Sequence, residues 1–209
     1  MKAHTKDTQT LMTPQTSLTA LKEGNERFIN GNQVTRNLNA QVEDTSLGQY
    51  PFATVLHCID SRVSAEHIFD QGIGDLFSIR IAGNFVNEDI LGSMEFACKL
   101  AGTKVLVVLG HTACGAVKGA CDHARMGNLT ALINKLEPAV DAVSSPANES
   151  ERTSANIDFV NAVAAKNVEM TMADIREKSQ ILKEMEANEE IQIVGGMYDI
   201  ATGKVSFYA

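Results

Sequence analysis

The stretch that decides the fold is Val105-Leu106-Val107-Val108-Leu109, which runs directly into Gly110-His111-Thr112-Ala113-Cys114-Gly115. A short run of β-forming apolar residues that ends at a glycine reads as a buried strand. A second segment has the same form: Ala53-Thr54-Val55-Leu56 leads into His57-Cys58-Ile59-Asp60-Ser61-Arg62. Both polar segments therefore emerge where a strand ends, which is where open α/β sheets build their sites. Cys58, His111 and Cys114 supply two thiolates and one imidazole, a set suited to a tetrahedral zinc ion whose fourth position is left to water.

Outward from these strands the pattern alternates. A strand ending at Cys58 is followed by a helix over 65–71, a strand over 76–81, a helix over 91–101 and the strand over 104–109. Such alternation implies right-handed crossovers and a mainly parallel sheet flanked by helices. A helix opens near Cys114, another covers 129–143, and the Ser- and Asn-rich stretch 144–154 reads as an exposed loop. Residues 156–187 have helical composition, with Ile175, Ile181, Leu182 and Met185 as anchors, and 191–198 with 205–208 form a closing hairpin around Thr202-Gly203. This gives an α/β fold whose last strand is antiparallel. Before the first strand, Thr13-Pro14 starts a helix that places Leu18, Leu21 and Phe28 on one face, which docks either on its own subunit or on a second one. Residues 32–48 show little pattern and read as a surface connection. The expected organisation is one domain over 1–209, with a helical arm (1–48) and an α/β core (49–209).

Composition narrows the function. The 209 residues carry 26 Asp and Glu against 18 Lys and Arg, a formal charge of -8, with no basic cluster to displace counterions from nucleic acid. Nucleic acid is not an expected partner. The apolar runs are too short to span a bilayer and the start carries no signal-like pattern, so a cytoplasmic protein without a membrane partner is expected. Four cysteines in such a chain argue for reduced thiols rather than a disulfide framework. Cys98 and Cys121 read as small buried hydrophobes.

The two polar segments complement each other chemically. His111 and Cys114 lie within one strand-to-helix turn and Cys58 reaches the same point from a neighbouring strand. Asp60 and Arg62 alternate with Cys58 along an extended chain end, so all three can point to one side. A forked pair between them keeps the carboxylate ionised and fixed. A catalytic zinc brings the pKa of its water from 15.7 to about 7. Two thiolates already neutralise the ion formally, so activity should favour alkaline pH. His57 and His67 titrate in a range useful for proton transfer, but each reads more simply as a structural or surface histidine, with His57 pointing away from the face that Cys58 uses.

These residues match a known pattern. Cys58 to Arg62, then Phe77 to Asn84, Gly92-Ser93-Met94-Glu95-Phe96 and Gly110 to Gly115 occur in an order that resembles the β-class carbonic anhydrases, from Lys22-Glu23-Gly24-Asn25 through to Thr202-Gly203. The resemblance implies reversible hydration of carbon dioxide to bicarbonate and a proton by zinc-activated hydroxide, with one Zn2+ per subunit. It implies Cys58, His111 and Cys114 as ligands and Asp60 and Arg62 as a catalytic dyad. Gln49, Phe77, Ala82 and the Gly115 amide would bind substrate, in subunits that pair as a homodimer or a dimer of dimers. Ile59 and Ile81 depart from residues common in the family, and Phe96 and Leu100 stand where plant relatives place Tyr and His, which leaves the proton shuttle unassigned. Val55 and His57 replace the Trp and Gly of a regulatory bicarbonate pocket, so that switch is not expected. Two other readings are a non-catalytic bicarbonate-binding protein and a hydrolase of an analogue such as carbon disulfide. A dinucleotide site at Gly72-Ile73-Gly74 fails for want of a third glycine and a strand-to-helix context.

Overall fold

The computed structural model describes residues 2–208. Three helices, α1 (Lys6–Thr10), α2 (Pro14–Ile29) and α3 (Leu38–Thr45), precede the first strand, β1 (Ala53–His57). Then come α4 (Ala65–Ile68), β2 (Leu76–Arg80), α5 (Glu88–Glu95) with a π-helical turn over Phe96–Leu100, and β3 (Val105–His111). Helices α6 (Gly115–Cys121), α7 (Gly127–Ile133), α8 (Glu137–Ala142), α9 (Ile157–Lys178) and α10 (Gln180–Ala187) lead to β4 (Gln192–Tyr198) and β5 (Val205–Tyr208). The five strands make one sheet in the order β2-β1-β3-β4-β5. All neighbours are parallel except β5, which returns antiparallel beside β4. This is the expected α/β domain. From β1 the chain steps outward to β2, and from β3 it steps the other way to β4. The strand order therefore reverses between β1 and β3, and a crevice opens at their carboxyl ends.

Strands β1 and β3 are buried at every position, which is why both read as unbroken apolar runs. On one face Val55, Val107, Leu109 and Val194 pack with Leu18, Leu21 and Ile68. On the other, Leu56, Leu106, Val108 and Ile193 meet Leu91, Met94, Val168 and Met172. Each fully buried leucine contributes about 2 kcal/mol.

Helix α2 begins as its sequence predicts, with Thr13 accepting from the Thr16 amide and Pro14 in the first turn. Its docking surface is its own chain. Buried Asn25 donates to Ile68 O and Gly203 O and accepts from the Val205 amide. At Gly24 the helix comes so close that a Cβ would sit 1.8 Å from Phe69 O.

Several expectations need correction. Residues 38–45 form α3 rather than an irregular connection, capped by Asn37 and burying only Gln41, so no apolar stripe announced it. The helix expected over 156–187 breaks at Ser179, whose hydroxyl oxygen accepts from the Leu182 amide and donates to Glu95. The new start turns Ile181 outward to 41 % exposure, so it is not an anchor, whereas Ile175, Leu182 and Met185 are buried. The 129–143 segment splits into α7 and α8, and the helix expected over 65–71 closes at Ile68. Asn87 caps the Ile90 amide and starts α5 at Glu88, before the expected 91. Among the described residues no helix is long and apolar enough to cross a membrane.

Candidate metal centre

Cys58 follows β1, His111 ends β3 and Cys114 stands before α6, so the strand-order reversal delivers all three to one point. Their ligand atoms lie within 4.8 Å of one another, and all three residues are buried. Cys58 Sγ is 3.9 Å from Cys114 Sγ, against about 3.8 Å for two sulfurs on a tetrahedral zinc with bonds of about 2.3 Å. The imidazole is more telling. His111 Nδ1 lies 2.9 Å from Thr112 O, which can only accept, so the ring proton sits on Nδ1. Nε2 then presents a lone pair, and it is buried with no hydrogen-bond partner. A carbonyl behind the ring and an orphaned nitrogen in front is the arrangement of a metal-ligating histidine.

The two thiols perturb each other. Hydrogen bonding with Cys114 pulls Cys58 down, against its burial and with help from the Gly83 amide. The Cys58 sulfur and burial push Cys114 up. A divalent ion held between them would replace the shared proton and allow both to ionise. The donor set fits zinc.

Asp60 stands at the rim of this cluster, with Oδ2 4.0 Å from His111 Nε2. Arg62 holds it by a fork, Nε to Oδ1 at 2.9 Å and Nη2 to Oδ2 at 2.7 Å. The pair forms differently from the extended arrangement expected. The chain turns, with the Val63 amide donating to Asp60 O and the Arg62 amide to Asp60 Oδ1. An Asx-type turn brings the two side chains together more compactly than alternation along a strand would. Hydrogen bonding from Arg62 outweighs partial burial and holds the Asp60 carboxyl well below the usual range. Arg80 on β2 steadies the segment, donating to Cys58 O and Asp60 O.

The remaining candidates are scattered. Ala82 is half-buried next to Gly83, whose amide donates to Cys58 Sγ at 3.5 Å, and Gly115 is exposed at the start of α6. Gln49 is exposed between α3 and β1. Phe77 lines an outer groove of about 810 Å³ along β2 and α5, edge-on to Phe96 with ring centroids 6.2 Å apart. His57 is buried and contacts Ser78 Oγ through Nε2 at 2.7 Å, and burial lowers it to about 4. It is neutral at physiological pH. His67 is exposed and opens on a separate cavity lined by Phe28, Arg36 and Leu76. Sequence reasoning missed Gly83 as a donor to sulfur and Thr112 O as the carbonyl behind His111. Their proximity to the ligands is set by the fold, and only the glycine hinted at it.

A family model described as carbonic anhydrase matches residues 53–205. The chain is similar to carbonic anhydrase 2 of Mycobacterium tuberculosis strain H37Rv, 34% identical over 192 residues and 91% of each chain. It is also similar to a carbonic anhydrase of Mycolicibacterium smegmatis, 33% identical over 92% of each chain. Among solved structures it superposes on a β-carbonic anhydrase of Aspergillus fumigatus with a TM-score of 0.69 at 22% identity, covering 93% of this chain and 89% of that one. A tetrameric β-carbonic anhydrase of Sordaria macrospora gives a TM-score of 0.67 at 24% identity, over 78% of this chain and 83% of that one.

Proposed function

The chain belongs to the β-class carbonic anhydrases, and from that premise we propose that it catalyses the reversible hydration of carbon dioxide to bicarbonate and a proton with one Zn2+ per subunit. The observation that carries the metal is His111 Nε2, buried without a partner beside two sulfurs 3.9 Å apart. Zinc held by Cys58, His111 and Cys114 supplies a Lewis acid that makes water a usable nucleophile near neutral pH.

The chain's own residues then position the reaction. Arg62 locks both carboxylate oxygens of Asp60, and Oδ2 accepts a hydrogen bond from the attacking water and so fixes its orientation. Because Arg62 keeps that carboxyl well below its usual range, Asp60 orients the nucleophile without retaining its proton, which passes on to solvent. Ala82 and Phe77 provide an apolar wall for an uncharged substrate, and the Gly115 amide and Gln49 provide polar contacts to the product. Since Gln49 is exposed and Phe77 lies on the outer groove, a second subunit completes the pocket in a homodimer or a dimer of dimers. The arm (1–48) docks on the core (49–209) of its own chain. The four buried, unpaired cysteines favour a reducing cytoplasm.

The test is stopped-flow hydration of carbon dioxide by full-length protein of measured zinc content. Activity that rises toward alkaline pH, disappears on chelation and returns with zinc is expected. Fully zinc-loaded protein that hydrates no carbon dioxide would leave the binding-protein or analogue-hydrolase reading in its place.

A further inference from the structure

The loops that serve the two sulfurs share a support outside both motifs. Helix α9 packs across β3 and β4 with an inner face of Val160, Val163, Ala164, Val168 and Met172. Asn167 interrupts that face, and half-buried Asn161 flanks it. Asn167 is 4 % exposed, and its Nδ2 donates to Gly83 O at 2.8 Å. Asn161 Oδ1 accepts from the Ala113 amide at 2.8 Å. Each grips a residue with left-handed backbone beside a sulfur: Gly83 (φ 79), whose amide donates to Cys58 Sγ, and Ala113 (φ 53), which precedes Cys114. A left-handed alanine persists only where its surroundings over-determine it, and a buried side-chain amide is tolerated only when hydrogen-bonded. Both requirements are met at the backbone next to the ligands.

We propose that Asn161 and Asn167 are positioning residues that preset the Cys114 and Cys58 loops for metal capture. This rests on the metal reading above. The partners fix opposite polarities: Gly83 O needs a donor, and the Ala113 amide needs an acceptor. Aspartate in place of asparagine therefore has opposite consequences. Asn161→Asp keeps its acceptor, whereas Asn167→Asp sets an oxygen against a carbonyl oxygen.

The experiment measures zinc affinity of the metal-stripped full chain by competition with a chromogenic chelator, and the sulfur-to-metal charge-transfer absorption of the cobalt-loaded protein. Asn161→Ala, Asn167→Ala and Asn167→Asp should bind zinc about 10- to 100-fold more weakly and lose charge-transfer intensity. Asn161→Asp should stay within about threefold of wild type. If the Asn167 variants fail to fold, the Asn161 pair, at a half-buried position, carries the comparison, with Asp restoring what Ala loses. Equal behaviour of Asp and Ala at position 161, or wild-type affinity in every variant, overturns the proposal. A wild-type chain that takes up no zinc overturns the metal reading and this one together, whereas zinc-competent variants indistinguishable from wild type overturn this one alone.

Discussion

Two carboxylates ten positions apart, Asp60 and Asp70, are each held by arginine, and they do different work. Every hydrogen bond to the Asp60 carboxylate among the described residues comes from Arg62 within one turn; its side chain is 15 % exposed and Oδ2 faces the Cys58–His111–Cys114 cluster. Asp70 is 3 % exposed and is gripped by Arg27 of α2, by Arg36 and by the Val34 amide, partners from a distant stretch of chain. Arg36 also donates to Asp70 O. The first pair closes a local turn and keeps an acceptor turned toward chemistry. The second fastens the N-terminal arm to the end of α4. An arginine partner therefore does not by itself mark a catalytic carboxylate; what sets Asp60 apart, and supports the role proposed for it, is an oxygen that still faces the cysteine–histidine cluster.

The largest effect expected from this contrast is on turnover. Asp60→Asn removes the negative acceptor to which the proposed function assigns orientation of the nucleophile, and should lower kcat about 100-fold. Zinc content should be unchanged, and stability should move by no more than about 0.5 kcal/mol, because Arg62 is half-exposed and water replaces its partner. Stopped-flow hydration and thermal melts on the same preparation check both halves. A large fall in Tm with preserved turnover would merge the two carboxylates into one structural class.

Asp70→Asn should show the reverse. Removing one partner of a buried pair strands Arg36, while Arg27 is about one-third exposed and recovers water, so a loss of about 2 kcal/mol is expected. That corresponds to a Tm lower by roughly 4–8 °C, with turnover per folded molecule retained. The pH dependence has a definite sign. Burial raises the Asp70 carboxyl, but hydrogen bonds from Arg27, Arg36 and Val34 outweigh it and leave it below its ordinary value. Its stabilisation is thus fully present above about pH 4 and is lost as pH falls through the lower folded value. Denaturant melts of wild type and variant should differ at neutral pH and converge in acid. A gap that persists or widens in acid contradicts the pairing.

The contrast also shows what the sequence disclosed. Cys58, Asp60, Arg62, His111 and Cys114 were legible because each sits at the end of an apolar run, and a strand's end is a position that sequence pattern fixes. Asp70 had no such marker. Its partners lie in 27–36, joined to it only by the docking of α2, and residues 32–48 had read as a surface connection. Helix α3 was invisible for the same reason, since it buries one glutamine and no apolar stripe. The break at Ser179 depends on a cap and a bond to Glu95 from another element. Asn161 and Asn167 look like ordinary polar helix positions until the fold brings Ala113 and Gly83 beneath them. Local chemistry was readable, and long-range braces were not.

The finest test separates ionisation from geometry at Asp60 itself. Arg62→Lys keeps a cation beside the carboxylate but exchanges a planar fork for a single point of contact. If Arg62 served only to keep Asp60 charged, the change would be nearly silent. If the fork fixes where Oδ2 points, the carboxylate stays ionised yet swings about the Asx turn, which the Arg62 backbone amide still holds through Oδ1. We expect kcat to fall about tenfold, less than for Asp60→Asn, with zinc content and Tm unchanged. Turnover equal to wild type would reduce the fork to an electrostatic role, whereas a loss as deep as that of Asp60→Asn would mean that orientation, with charge preserved, carries the whole effect.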